Sequence, residues 1–177
     1  MLGDVDIAVR VLNPAWRTEI ASVVALARRT ARAALSTALP AGAGRSGGGA
    51  ATELTVVLGD DTLLRRLNRD FRGIDKPTNV LSFNCSHERS RAAACVLGDV
   101  ILAHETVAAE AAAQGKTMAN HASHLIVHGV LHLLGHDHER PDDAAAMEAI
   151  EIGILADLGI ADPYVSAAPN RLRTRQA

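Results

Sequence analysis

The chain has 177 residues, 18 Lys plus Arg against 20 Asp plus Glu, and a formal charge of −2 with histidine neutral. That length suits one domain with a proper core, and that charge excludes a histone-like tail or a uniformly basic nucleic-acid coat. Alanine is close to one residue in five, which points to closely packed helices. Only Trp16, Phe71, Phe83 and Tyr164 are aromatic, which argues against a sugar cleft or a base-stacking platform.

Residues 5–11 alternate Val5, Ile7, Val9 and Val11, the period of a half-buried strand. Asn13-Pro14 then reads as an N-cap followed by a proline in the first helical position. Trp16, Ile20, Val23, Val24, Ala27, Ala31 and Leu35 keep helical spacing, so 14–38 is expected to be one amphipathic helix. The Gly-rich stretch 40–51 reads as a flexible linker or loop insertion. A strand at 53–58 precedes a short helix capped by Asp60 or Asp61 and carrying Leu63, Leu64 and Leu67. Arg72, Asp75 and Pro77 then fall in a polar loop before strands at 79–84 and 96–103.

From His104 the pattern turns helical. Three helices are expected, over 104–114, 118–134 and 142–158, each stopped by a glycine: Gly115, Gly135 and Gly159. Residues 161–177 read as a disordered tail. Together these elements make a single compact α+β domain over 1–160, about four strands packed with four to five helices, the histidine-bearing helix central. The N-terminus has two Asp in its first six residues and no apolar core, so it is not read as a signal peptide. No uncharged apolar run is long enough to span a bilayer. Cys85 and Cys95 are then expected to be free thiols in a cytoplasmic protein without membrane contact.

Six of the eight histidines lie between His121 and His138. On a helix, His121, His124, His128 and His132 fall within an arc of about 80°. His128 and His132 are an i, i+4 pair, the spacing that lets two imidazoles meet one metal ion. A turn at Gly135 can bring His138 round as a third ligand, completing H-x3-H-x5-H. Three neutral imidazoles leave one tetrahedral position open, as in a catalytic zinc site; a structural site is closed by four protein ligands. Polar rings on an otherwise apolar helix need partners, and a shared ion serves all three. His136 and Asp137 could ligate, orient or simply occupy the turn, while His121 and His124 are expected to orient along the same stripe.

The spacing parallels the metalloprotease pattern H-E-x-x-H-x-x-G-x-x-H, with Gly129 where that pattern has its general-base Glu. The reading from the residues is that Gly129 opens space beside the metal for a bulky substrate group. Two readings of such a centre are a zinc protease, weakened by Gly129, and a non-catalytic module in which zinc braces the fold.

HGVLHLLGHDHE (128–139) resembles the H-G-x-L-H-L-x-G-[YH]-D-H signature of the YbeY family of bacterial endoribonucleases, the ribosomal-RNA maturation factors. FRGIDKPTNVLSF (71–83) resembles that family's Arg-containing segment and its P-T-D-V-L-S-F strand. LGDV (97–100) matches another strand, and Met147 with Glu151 fits the helix after the metal motif. The resemblance covers 53–159, with Asn79 where the family has Asp and Asn84 where Pro often stands. It implies a small α+β protein holding one Zn²⁺ on His128, His132 and His138. It implies single-strand-specific endoribonuclease activity in 16S rRNA 3′-end maturation and ribosome quality control, with RNA and the ribosome or its proteins as partners and no DNA. Arg72 occupies the family's functionally important arginine position, where its planar fork suits a phosphate. Seven basic residues lie within Arg65–Arg91, a run that otherwise reads as a solvated helix face and a loop.

Overall fold

In the computed structural model the described residues are 5–38, 52–85, 95–138 and 140–165. The expected linker 40–51, the segment 86–94 and residues 166–177 lie outside them.

Four strands form one sheet in the order β1-β2-β4-β3: β1 (Val5–Val11), β2 (Thr52–Gly59), β3 (Val80–Asn84) and β4 (Cys95–Ala103). β1 runs parallel to β2, and β2 parallel to β4. β3 pairs antiparallel with β4 along one side and forms the edge. The β2–β4 register slips by one residue between Glu53–Val96 and Leu54–Gly98, leaving Leu97 as an extra residue. Gly98 sits there at φ 142°, and a Cβ on it would come 2.1 Å from the carbonyl oxygen of Phe83, so only glycine fits.

The helices are α1 (Ala15–Glu19), α2 (Val23–Ala38), α3 (Asp61–Arg72), α4 (His104–Ala113), α5 (Met118–Leu133) and α6 (Pro141–Asp157). One face of the sheet offers Leu54, Val56, Leu58, Val100 and Leu102 to α2 and α5, whose Ala27, Ala31, Ala34, Ala122 and Ile126 complete the main core. Small side chains let these helices approach closely. The other face buries Ile101, Ala103 and Leu81 under Leu64 of α3. This is the expected α+β unit, with α5 at its centre.

The first helix departs from expectation. Ile20, at φ −130° and ψ 96°, is extended and splits 14–38 into α1 and α2. Trp16 is fully buried and its indole N–H donates to the Gly59 carbonyl at 2.9 Å. Ile20 thus lets α1 anchor on β2 while α2 packs against β1 and α5. Helical spacing is kept across the break, so periodicity alone does not reveal it.

Asp60 is the cap of α3, accepting from the Leu63 N–H at 2.8 Å. At the other end Gly73 adopts φ 72° and donates its N–H to the Arg69 carbonyl at 3.0 Å. The helix therefore runs through Arg72, which is its last residue and not part of the polar loop. The amide of Asn68, buried beneath α3, donates to the Lys76 carbonyl at 2.9 Å and ties that loop down. At the end of the described chain, 160–165 do not trail away. The Ile160 N–H returns to the Leu155 carbonyl at 2.8 Å, Lys116 Nζ donates to the Pro163 carbonyl, and the Tyr164 hydroxyl reaches Glu151.

Candidate metal centre

α5 starts under Thr117, whose hydroxyl accepts from the Asn120 N–H at 3.1 Å. Its apolar residues go to the core, while His124, His128 and His132 stay partly exposed along the remaining stripe. Gly135, at φ 89°, ends the helix, and the His136 N–H turns back to the Leu131 carbonyl at 3.0 Å. Asp137 Oδ1 accepts from the His138 N–H at 2.7 Å, fixing the next residue. The turn carries His138 over the helix end, where its ring stacks on His128 with centroids 5.4 Å apart and meets His132 edge-on at 4.9 Å.

Ligand nitrogens of His128, His132 and His138 all lie within 4.8 Å of one another, and the Nε2 atoms of His128 and His132 are 3.1 Å apart. Two imidazole nitrogens each about 2.0–2.1 Å from a tetrahedral zinc ion stand about 3.4 Å apart, so the donor set and its spacing fit such an ion. Among the described residues no fourth ligand joins the cluster. His136 and Asp137 are not part of it.

Glu151 holds this arrangement from below. Its carboxylate is wholly buried, with Oε1 at 2.8 Å from His128 Nδ1 and Oε2 at 3.0 Å from His124 Nε2. A carboxylate only accepts, so His128 Nδ1 carries the proton and its Nε2 turns a lone pair toward the cluster. Burial pushes the Glu151 pKa up, but hydrogen bonds donated by His124, His128 and Tyr164 outweigh it and hold the group at about 2. Burial, with the neighbouring His128 and His138, lowers the pKa of His132 and favours the neutral, ligating form.

Two of the six histidines lead elsewhere. His121 Nε2 meets Glu110 Oε2 at 2.8 Å, and His124 is taken by Glu151. Asn79 also faces Glu110, donating its amide to both carboxylate oxygens at 3.2 and 3.0 Å. The amide thus makes a hydrogen bond where a carboxylate would set like charges together.

Gly129 requires a correction. It does not open space beside the cluster; it faces the sheet, where a Cβ would lie 2.6 Å from Val100 Cγ1 and 2.9 Å from Ser82 Oγ. The Ser82 hydroxyl donates to the Gly129 carbonyl at 3.0 Å, closing the contact. Glycine is there for close packing of α5 on β3 and β4, and a general-base Glu would have no room. The zinc-protease alternative falls with it.

A cleft of about 480 Å³ joins the parts: Arg72 at the end of α3, Ser82 and Asn84 on the edge strand, and the three histidines. Arg72 is brought to the cluster from 56 positions away in sequence. Asp75, three positions after Arg72, pairs instead with Arg65. Of the wider basic run, Arg69 pairs with Asp70, and Arg89 and Arg91 lie outside the described residues. Beyond Asn79 lies a second cavity of about 620 Å³, lined by Glu110, Lys116, His121, His124 and Tyr164.

Reading the residues missed what Glu151 and Tyr164 do. Glu151 carries a usable signal: an acid between Met147, Ile154 and Leu155 on the buried face of α6 must find partners. Tyr164 carries none, since it follows the last helix in a segment without periodicity.

The fold and the cluster define a small α+β protein with a candidate three-histidine metal centre in an open cleft beside an arginine. A sequence profile described as Endoribonuclease YbeY matches residues 17–159. The chain belongs to the YbeY endoribonuclease family. The Endoribonuclease YbeY of Paramagnetospirillum magneticum is 50% identical over 169 residues, covering 93% of this chain and 98% of that one. That of Azorhizobium caulinodans is 46% identical over 165 residues, 92% of this chain and 98% of its own. The solution structure of a Thermotoga maritima protein, 18% identical, superposes with a TM-score of 0.52 over 90% of this chain and 99% of that chain, a likeness of fold. No helix among the described residues is long and apolar enough to cross a membrane.

Proposed function

We propose that this endoribonuclease cuts single-stranded RNA at a zinc ion held by His128, His132 and His138, with Arg72 binding a substrate phosphate. The reading extends to maturation of the 16S rRNA 3′ end and ribosome quality control, in the cytoplasm and in contact with the ribosome or its proteins. The observation that carries it is the shared cleft: the Arg72 guanidinium and a metal-competent cluster line the same 480 Å³ space.

When bound, zinc supplies Lewis acidity toward a phosphoryl oxygen. The chain's own residues do the rest. Arg72 presents a planar guanidinium that can grip two phosphate oxygens and fix the backbone of the strand. Glu151 keeps the His128 proton on Nδ1. Burial keeps His132 neutral. Asp137 is the one carboxylate among the described residues lining the cleft, and it is engaged with the His138 N–H, so it positions that histidine. Against a zinc-braced structural module stands the lack of a fourth protein ligand in the cluster among the described residues.

The test combines metal analysis with cleavage of single-stranded and duplex RNA before and after chelation. Cleavage of the single strand, lost with chelator and restored by zinc, is expected. Undiminished cleavage by zinc-free protein would overturn the reading.

A further inference from the structure

Glu151 has no exposed surface, yet it is charged and receives three donors: His128 on one oxygen, His124 and Tyr164 on the other. Two of these donors lie on α5, which also carries the cluster. The third does not. Tyr164 comes from the segment after α6, and its presentation is built. The Asp162 side chain accepts from the Tyr164 N–H at 2.8 Å, a local turn that aims the ring inward. Lys116, in the connection between α4 and α5, holds the preceding carbonyl of Pro163. The ring lies edge-on to His124 with centroids 5.4 Å apart and an interplanar angle of 80°.

A carboxylate held by one oxygen can swing about its Cγ–Cδ bond; held by both, its plane is set. The His128 hydrogen bond alone leaves the Glu151 plane free to rotate and the imidazole with it. His124 sits on the same helix as His128, so of the Oε2 donors only Tyr164 holds the carboxylate from outside α5, and the direction of His128 Nε2 follows. We infer that Tyr164 is a positioning residue of the metal centre, acting through Glu151 to fix the orientation of His128. The inference rests on the assignment of His128, His132 and His138 as the metal site. It makes the 160–165 segment part of the centre's support and not a tail. Groups that orient a metal-bound histidine in this way affect metal affinity by about 10–100-fold.

The decisive variant is Tyr164→Phe, which keeps the ring against His124 and removes only the hydroxyl. Zinc affinity is measured by competition with a chromophoric chelator, and the cobalt-substituted protein is compared by its visible absorption. The expected result is zinc binding weaker by about tenfold and an altered cobalt band, beside the modest fall in metal-free melting temperature that loss of one donor to a buried carboxylate brings. Val165→Ala, an exposed neighbour outside the hydrogen-bonded set around Glu151, should match wild type in all three. Unchanged zinc affinity and cobalt spectrum in Tyr164→Phe would overturn the inference. So would a fall in metal-free melting temperature with the cobalt band as in wild type, because that marks a structural role only. If wild-type protein binds no zinc, or His128→Ala binds it as wild type does, the tripod assignment itself fails and takes the inference with it.

Discussion

Arg65 grips Asp75 through two hydrogen bonds, Nε to Oδ1 at 2.8 Å and a terminal nitrogen to Oδ2 at 3.0 Å. Both groups are more than half exposed, so the pair adds little to stability. Its importance is the partner it removes. Asp75 pairs with Arg65, while Arg72 at the end of the same helix forms no salt bridge among the described residues and lines the cleft.

Arg72→Ala should therefore slow RNA cleavage by roughly one to two orders of magnitude. Charge-assisted hydrogen bonds contribute about 1.5–3 kcal/mol, and about 1.36 kcal/mol is tenfold in rate. Zinc content and melting temperature should not move, and Arg72→Lys should recover only part of the rate. Turnover, zinc stoichiometry and melting curves on one preparation decide the matter. Normal turnover with a lowered melting point would take Arg72 out of the cleft chemistry.

Single replacement of His128, His132 or His138 by Ala should empty the site, as read by metal analysis, and abolish cleavage together with it. His121→Ala should keep its zinc, because His121 belongs to Glu110. His124→Ala should bind zinc more weakly without losing it, since its hydrogen bond goes to Glu151 and its ring only flanks His128. A zinc-free His124→Ala beside a zinc-loaded His138→Ala would show that the third ligand is misassigned.

Gly129→Ala tests the packing of α5. Within a helix the exchange ordinarily stabilises by up to about 1 kcal/mol. Here the new methyl meets Val100 and Ser82 closer than atoms can stand, and overpacking of this kind costs about 1–3 kcal/mol. A lowered melting temperature is expected, by denaturation of the metal-free protein. A raised one would mean that the helix can lift from the sheet at no cost.

His121 should make the fold acid-sensitive. Burial lowers its pKa, with the hydrogen bond and charge of Glu110 opposing. The unfolded chain, with a histidine near its ordinary value of about 6.5, takes up the proton first. Stability is thus full above that value and is lost as the pH falls through the lower folded-state pKa. Melting temperatures of wild type and His121→Gln, followed from pH 7 down to pH 5, should diverge, the wild type falling more steeply. Parallel curves would remove His121 as a source of the acid sensitivity.

What the sequence made legible were features that repeat locally. Alternating valines mark β1, glycines mark the ends of α4, α5 and α6, and four-residue spacing puts His128 beside His132. What stayed hidden depends on which surfaces meet. Gly129 looks like an opening until Val100 is placed against it. Ile20 keeps its place in a helical pattern although its backbone is extended. Arg72 reads as a loop residue because the stop signal, Gly73, lies one position further on. Glu151 is separated from His128 by 23 positions and Tyr164 from Glu151 by 13, distances over which no periodicity carries information.

The position of Glu151 and Tyr164 also orders events during synthesis. The three imidazoles are complete once residue 138 has been made, but the carboxylate and hydroxyl that aim them arrive afterwards. Until then the histidines form a loose donor set, and loose nitrogen donors prefer copper or nickel to zinc. Only the closed fold imposes a geometry by which metals can be told apart. The full donor geometry therefore belongs to the finished chain, formed only once α6 and the segment after it have docked.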